Sequence, residues 1–143
     1  MLQIQLSLQQ RERITEILRK NGVVVAYIFG SYSRGTAGPL SDIDLGVIFS
    51  RQMSEVAQEE HIEYMRYALE KMFGRDKVDI LNISTLKKPL LRYIITLGQG
   101  KIIFCYDEEV KNRISLISLR EYEDTKVLRR IQSDALKKMF IQK

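Results

Sequence analysis

At 143 residues and 45% hydrophobic content the chain is long and apolar enough for one core, so a single domain over residues 1–143 is expected. No apolar run approaches the roughly 20 residues of a membrane span, the start "MLQIQLSLQQRER" lacks the pattern of a secretory signal, and the one cysteine, Cys105, excludes an internal disulfide. These features predict a cytoplasmic protein without a membrane partner, while a net charge of +5 fits nucleotide, nucleic acid, an acidic protein or simply a solvated surface.

Ser7 followed by Gln10 is a capping box, Ile14, Ile17 and Leu18 share one helical face, and Gly22 supplies the stop, which predicts a first helix. The β-branched and aromatic run "VVVAYIF", Val23 to Phe29, predicts a strand, and "IDLGVIF", Ile43 to Phe49, a second. Between them lies the glycine-rich "GSYSRGTAGPLSD", so that motif joins two neighbouring strands. The pattern from about Ser54 to Phe73, closed by Gly74, reads as a long helix, and "KVDILNI", Lys77 to Ile83, as a third strand. "LLRYIITLG" predicts a further helix and "KIIFCY" an edge strand. Asp107 with Glu108 and Glu109 forms an acidic opening to C-terminal helical structure. Alternating helix and strand signals predict an α/β or α+β fold, a small mixed central sheet flanked by helices. Its core is expected at about 22–105 and a C-terminal helical segment at about 107–141.

Alternate residues of a strand share a face, so Asp42 and Asp44 at the start of the second strand project into one space, where two like charges repel. A divalent cation between them removes that repulsion. Hard oxygen ligands without a nearby Cys or His cluster suit Mg²⁺, or Mn²⁺, rather than zinc. Asp79 lies mid-strand between Val78 and Ile80, where a carboxylate facing the core is costly, so it is expected at the same cleft as a third ligand. Three carboxylates suffice for two ions. The Gly30-Ser31 pair opens a turn whose backbone N–H groups, hydroxyl and nearby Arg34 suit phosphate oxygens. Each feature has a plainer reading. "SDID" alone also describes a polar turn beside an edge strand, and Arg34 alone a solvated surface residue. His61 has no second His or Cys at metal-binding spacing. Tyr64 and Tyr67, with Met65, Leu69, Met72 and Phe73, read as core and flank of a helix, and Cys105 as a small buried hydrophobe.

Gly30 and Ser31, ten intervening residues, then Asp42 and Asp44 reproduce the GSx10DxD signature, and Asp79 in "KVDIL" stands where a third carboxylate follows. On these residues the chain resembles the polymerase-β-like nucleotidyltransferases. With "GQGKIIFCYDEE" and "EYEDTK" it resembles their minimal branch, the MntA-type antitoxins encoded beside HEPN toxins. The resemblance implies a metal-dependent enzyme with ATP as substrate that transfers AMP to a tyrosine of a HEPN RNase toxin, within a hetero-oligomer and without direct nucleic-acid binding. In that reading Asp42, Asp44 and Asp79 are catalytic residues and metal ligands, and Gly30, Ser31 and Arg34 hold the nucleotide. Ser33 stands where many relatives carry Ala. Occlusion of a toxin without chemistry, and transfer to a small molecule or RNA, are the alternatives. Ile114, Leu116, Ile117, Leu119, Leu128 and Ile131 supply more apolar surface than one small sheet needs, and the segment is expected either to cap the sheet or to meet the partner.

Overall fold

The computed structural model describes residues 6–38 and 41–141. Its elements follow the order α1 (Leu8–Lys20), β1 (Val23–Phe29), α2 (Ser31–Arg34), β2 (Ile43–Phe49), α3 (Glu55–Phe73), β3 (Val78–Asn82), α4 (Pro89–Tyr93), β4 (Lys101–Cys105), α5 (Glu108–Asp124) and α6 (Lys126–Ile141). The ends are set by local chemistry. Ser7 closes the capping box on α1, accepting from Gln10 N while its own N–H donates to the Gln10 side chain. Ser54 and Asp107 accept from Ala57 N and Val110 N to cap α3 and α5.

The sheet runs β3-β2-β1-β4, with β1 antiparallel to both β2 and β4 and β2 parallel to β3. The mixed sheet follows from the connections. β1 returns antiparallel into β2 through the connection that carries α2, whereas β2 reaches β3 through the long helix α3, the crossover that parallel pairing requires. The expected strands over Lys77 to Ile83 and Lys101 to Tyr106 are each trimmed, to Val78–Asn82 and Lys101–Cys105.

Both faces of the sheet are covered. On one, Ile14 and Leu18 of α1 and Ile62, Met65 and Leu69 of α3 pack on Ile43, Leu45, Val47, Val78 and Ile80. On the other, Val25, Tyr27 and Ile48 meet Ile83, Ile95 and Val110. The register between β1 and β2 shifts between Val23 and Val25, which puts Val24 and Val25 successively on the same face. Gly46 lies under this second layer, where a Cβ would come within 2.7 Å of Ile83 Cδ1 and 3.1 Å of Ile95 Cγ2.

Two expectations need refinement. "LLRYIITLG" is not one regular helix: α4 ends at Tyr93 and a π-helical turn continues over Ile94–Gly98, with Gln99 N and Gly100 N both donating to Ile94 O. Cys105 is half-buried rather than buried, because β4 is an edge strand with one neighbour; burial nevertheless pushes its thiol up. Among the helix-α3 residues, Met65 and Leu69 are in the core while Tyr64 and Tyr67 are exposed, and His61 is tied through Nδ1 to Asn21 Oδ1 at 2.9 Å.

Candidate active site

Strand parity brings the acidic residues together. Ile43, Leu45, Val78 and Ile80 point into the α1/α3 layer, so Asp44 and Asp79, one residue out of phase, point to the other face of the sheet. Asp44 is in register with Asp79 across the parallel β2/β3 pair and with Phe29 across the antiparallel β1/β2 pair. Asp42, two residues before Asp44, lies just outside the strand. Asp44 is half-buried, whereas Asp42 and Asp79 are exposed. The α4 turn and α5 cover the sheet beyond this point, toward Ile48 and Ile83, and leave the acidic end open.

The end of β1 supplies the opposing wall. Gly30 has φ 69 and ψ −149, a conformation close to exclusive to glycine, and it caps the one-turn helix α2. A Cβ there would lie 2.2 Å from Asp44 Oδ2, so the Gly30 backbone is in direct contact with the carboxylate. The turn is closed by its own hydrogen bonds. Arg34 N and Ser33 Oγ both donate to Gly30 O, at 3.2 and 2.9 Å, and Thr36 N donates to Ser31 O at 2.9 Å. Ser33 is therefore a buried structural hydroxyl. Ser31 is half-buried at the head of α2 and Arg34 is exposed at its foot, with Nη1 3.5 Å from Gln99 Oε1. Gln99 carries no sequence signal for this contact, since it depends on where the π turn ends. A second turn sets the approach to β2: Gly38 N donates to Ser41 Oγ at 2.9 Å and Ser41 N to Gly38 O at 3.1 Å, immediately before Asp42.

The electrostatics match the geometry. The Asp44 carboxyl is pushed above its ordinary value by burial first, then by the neighbouring charges of Asp79 and Asp42, with Arg34 acting in the opposite direction. A half-buried carboxylate beside two others is costly unless positive charge arrives. Among the described residues, no three acidic, histidine or cysteine side chains are gathered tightly enough to hold an ion as they stand. Asp42 and Asp79 are exposed and Asp44 lies against Gly30, so holding a cation here would need the two exposed carboxylates to turn toward Asp44. The donor set, carboxylate oxygens with no thiol or imidazole among them, fits a hard divalent cation.

The profile of the Polymerase beta, Nucleotidyltransferase family matches residues 12–109. The chain belongs to this family. Nucleotidyltransferases of this family generally use ATP and a divalent metal. Among curated relatives, the nucleotidyltransferase is 37% identical over 82 residues to a putative protein adenylyltransferase of Methanocaldococcus jannaschii, covering 57% of this chain and 82% of the relative. It is 29% identical over 89 residues to the protein adenylyltransferase MntA of Shewanella oneidensis, covering 61% of this chain and 60% of that relative. Among solved structures, its fold is similar to a chain of a toxin-antitoxin complex with AMP-PNP (TM-score 0.69, 23% identity, 89% of this chain and 98% of the other). It is also similar to a chain of the tri-AMPylated Shewanella oneidensis HEPN toxin in complex with its MNT antitoxin (TM-score 0.63, 21% identity, 89% and 95% covered).

Replacing Ser31 by Ala is expected to weaken ATP binding by about 1.5 to 3 kcal/mol, the worth of a hydrogen bond to a charged group. That is roughly a ten- to 150-fold rise in Kd. Titration calorimetry of both proteins with ATP and Mg²⁺ measures it, and an unchanged Kd removes Ser31 from the site.

Proposed function

We propose that this nucleotidyltransferase is an antitoxin enzyme that transfers AMP from ATP to a tyrosine of a HEPN-domain toxin. The observation that carries the reading is the register of Asp44 with Asp79 on an open sheet end, against the glycine-serine turn that touches Asp44. The relatives and structural neighbours named above supply the class of acceptor.

The reaction is a displacement at phosphorus. The phenol oxygen of the acceptor bonds to the α-phosphorus of ATP, the bond to the β-phosphate bridging oxygen breaks, pyrophosphate leaves and the phenol proton is lost. In this reading Asp42, Asp44 and Asp79 would hold two divalent cations, Mg²⁺ or Mn²⁺, whose bound charge would supply neutralisation of the triphosphate and a lowered pKa of the attacking hydroxyl. Asp79 would orient the phenol and help remove its proton. Ser31 and the Gly30–Ser31 backbone grip the terminal phosphates, and Arg34 lies within electrostatic reach of the same space. Catalysis is positioning and charge neutralisation, and no covalent enzyme intermediate is needed. The catalytic core extends over about residues 22–105, followed by the helical segment from about 107, and the protein acts in the cytoplasm.

The experiment is incubation of the purified protein with labelled ATP, Mg²⁺ and its cognate HEPN toxin, compared with Asp79→Asn. Loss of a proton acceptor costs about 10² to 10⁴ in rate, so the variant is expected to bind the toxin in a pull-down but label it at least a hundredfold more slowly. Toxicity should then return in cells co-expressing the two at matched levels. Full growth rescue by a variant that does not label the toxin would replace this reading with occlusion.

A further inference from the structure

The last helix is left bare. Every described side chain of α6 from Lys126 to Met139 is exposed except Arg129, which is half-buried. Leu128, Ile131, Leu136 and Met139 are 55, 59, 56 and 72% exposed. Leu128, Ile131, Ala135 and Met139 recur at helical spacing on one face, and Leu136 borders it. A 16-residue helix that buries no apolar stripe is marginal in water. Yet its direction is fixed at the root. The Arg129 guanidinium lies 4.1 Å over the Tyr122 ring and donates to Tyr122 O at 2.9 Å, and Tyr122 stacks on Tyr93 at 3.9 Å. Arg92 and Glu121 pair at 3.0 Å beside them. The helix is anchored where it leaves the body and uncovered beyond.

We infer that α6 is the docking helix for the acceptor protein, and that it seats in an apolar groove with acidic walls. This rests on the function proposed above. The charge pattern selects the occupant. Helix α6 carries five basic side chains, Lys126, Arg129, Arg130, Lys137 and Lys138, against one acid, Asp134. At 100° per residue, Lys126, Arg130 and Lys137 fall on the side opposite the apolar stripe. A flat lipid surface takes the stripe and leaves those three cations at the headgroup level, without partners of fixed geometry. A second copy packed stripe to stripe likewise leaves both basic faces unpaired. A groove that wraps the helix uses the stripe for burial and the basic side for ion pairs, the helix-in-groove mode of recognition.

The test uses two variants of the full chain, Leu128→Asp with Ile131→Asp on the stripe and Arg130→Glu with Lys137→Glu on the basic side. All four residues are exposed, so circular dichroism and the Kd for ATP should match wild type. Each variant is expected to lose at least tenfold in capture of the HEPN toxin and in the rate of its labelling, with the charge variant also losing the salt dependence of capture. Capture and labelling equal to wild type in either variant would overturn the assignment. So would a wild-type dimer, in light scattering, that the stripe variant dissolves while toxin capture persists. Flotation of wild type with phosphatidylserine vesicles, lost in the variants with capture intact, would overturn it equally. Failure of the wild-type protein itself to capture or label the toxin would instead sink the proposed function, and the docking assignment with it.

Discussion

Asp44→Asn is expected to abolish AMP transfer while leaving the fold intact. Asp44 is the carboxylate that both geometry and electrostatics place at the centre, in register with Asp79, pressed against Gly30 and raised in pKa by burial and by its two acidic neighbours. Losing its share of transition-state charge stabilisation costs several kcal/mol, about a thousandfold or more in rate. Stability should move the other way. A folded-state pKa above the unfolded value means the native protein holds the proton more tightly. Stability is therefore lost as pH rises from the ordinary carboxyl value of 3.8 through the folded pKa. In metal-free buffer at pH 7 the Asn variant should melt higher than wild type; near pH 3, where both Asp44 states are protonated, the difference should vanish, and saturating Mg²⁺ should reverse it by stabilising wild type alone. Scanning calorimetry at the two pH values, with and without Mg²⁺, reads all three outcomes. Undiminished labelling by this variant would remove Asp44 from the chemistry.

Gly30→Ala is expected to lose both activity and stability. The Gly30 conformation lies outside what an L side chain accepts, at a cost on the order of 1 to 3 kcal/mol. The new methyl would sit 2.2 Å from Asp44 Oδ2, so either the turn or the carboxylate must move. Either displacement separates the phosphate-binding turn from the acidic cluster. Labelling should fall as far as in Asp44→Asn, but the melting temperature should drop rather than rise. A shift of 1 kcal/mol at this size corresponds to roughly 2 to 4 °C or a little more. The opposite signs of the two melting shifts separate a lost carboxylate from a distorted turn. An active, stable Gly30→Ala would show that the contact between turn and carboxylate has no bearing on catalysis.

Much of this arrangement is legible without coordinates because it is local. The capping box at Ser7 and the caps at Ser54 and Asp107 need only neighbouring residues, and the first two strands occupy the residues their β-branched and aromatic runs indicate. The Asp42/Asp44 spacing predicts two carboxylates on one face through the period of a strand, although Asp42 itself stands one residue before β2. The fixed distance to Gly30-Ser31 identifies the family from a single short motif, Gly30 to Asp44.

Other features have no local cause. The register that sets Asp44 beside Asp79 joins residues 35 apart and exists only because α3 carries the chain back parallel to β2. The contact of Gly30 with Asp44, the reach of Gln99 to Arg34 and the widening of "IITLG" into a π turn likewise depend on packing between distant elements. Cys105 is half-buried because its strand is at the edge, a matter of sheet order that its apolar neighbours in sequence do not encode. The C-terminal apolar residues show the division most clearly. Sequence periodicity makes them helical but is silent on what they face. The fold divides them, spending Val110 and Ile114 on the sheet and leaving Leu128, Ile131 and Met139 to solvent, because a four-stranded sheet offers only so much apolar area and α5 already covers it.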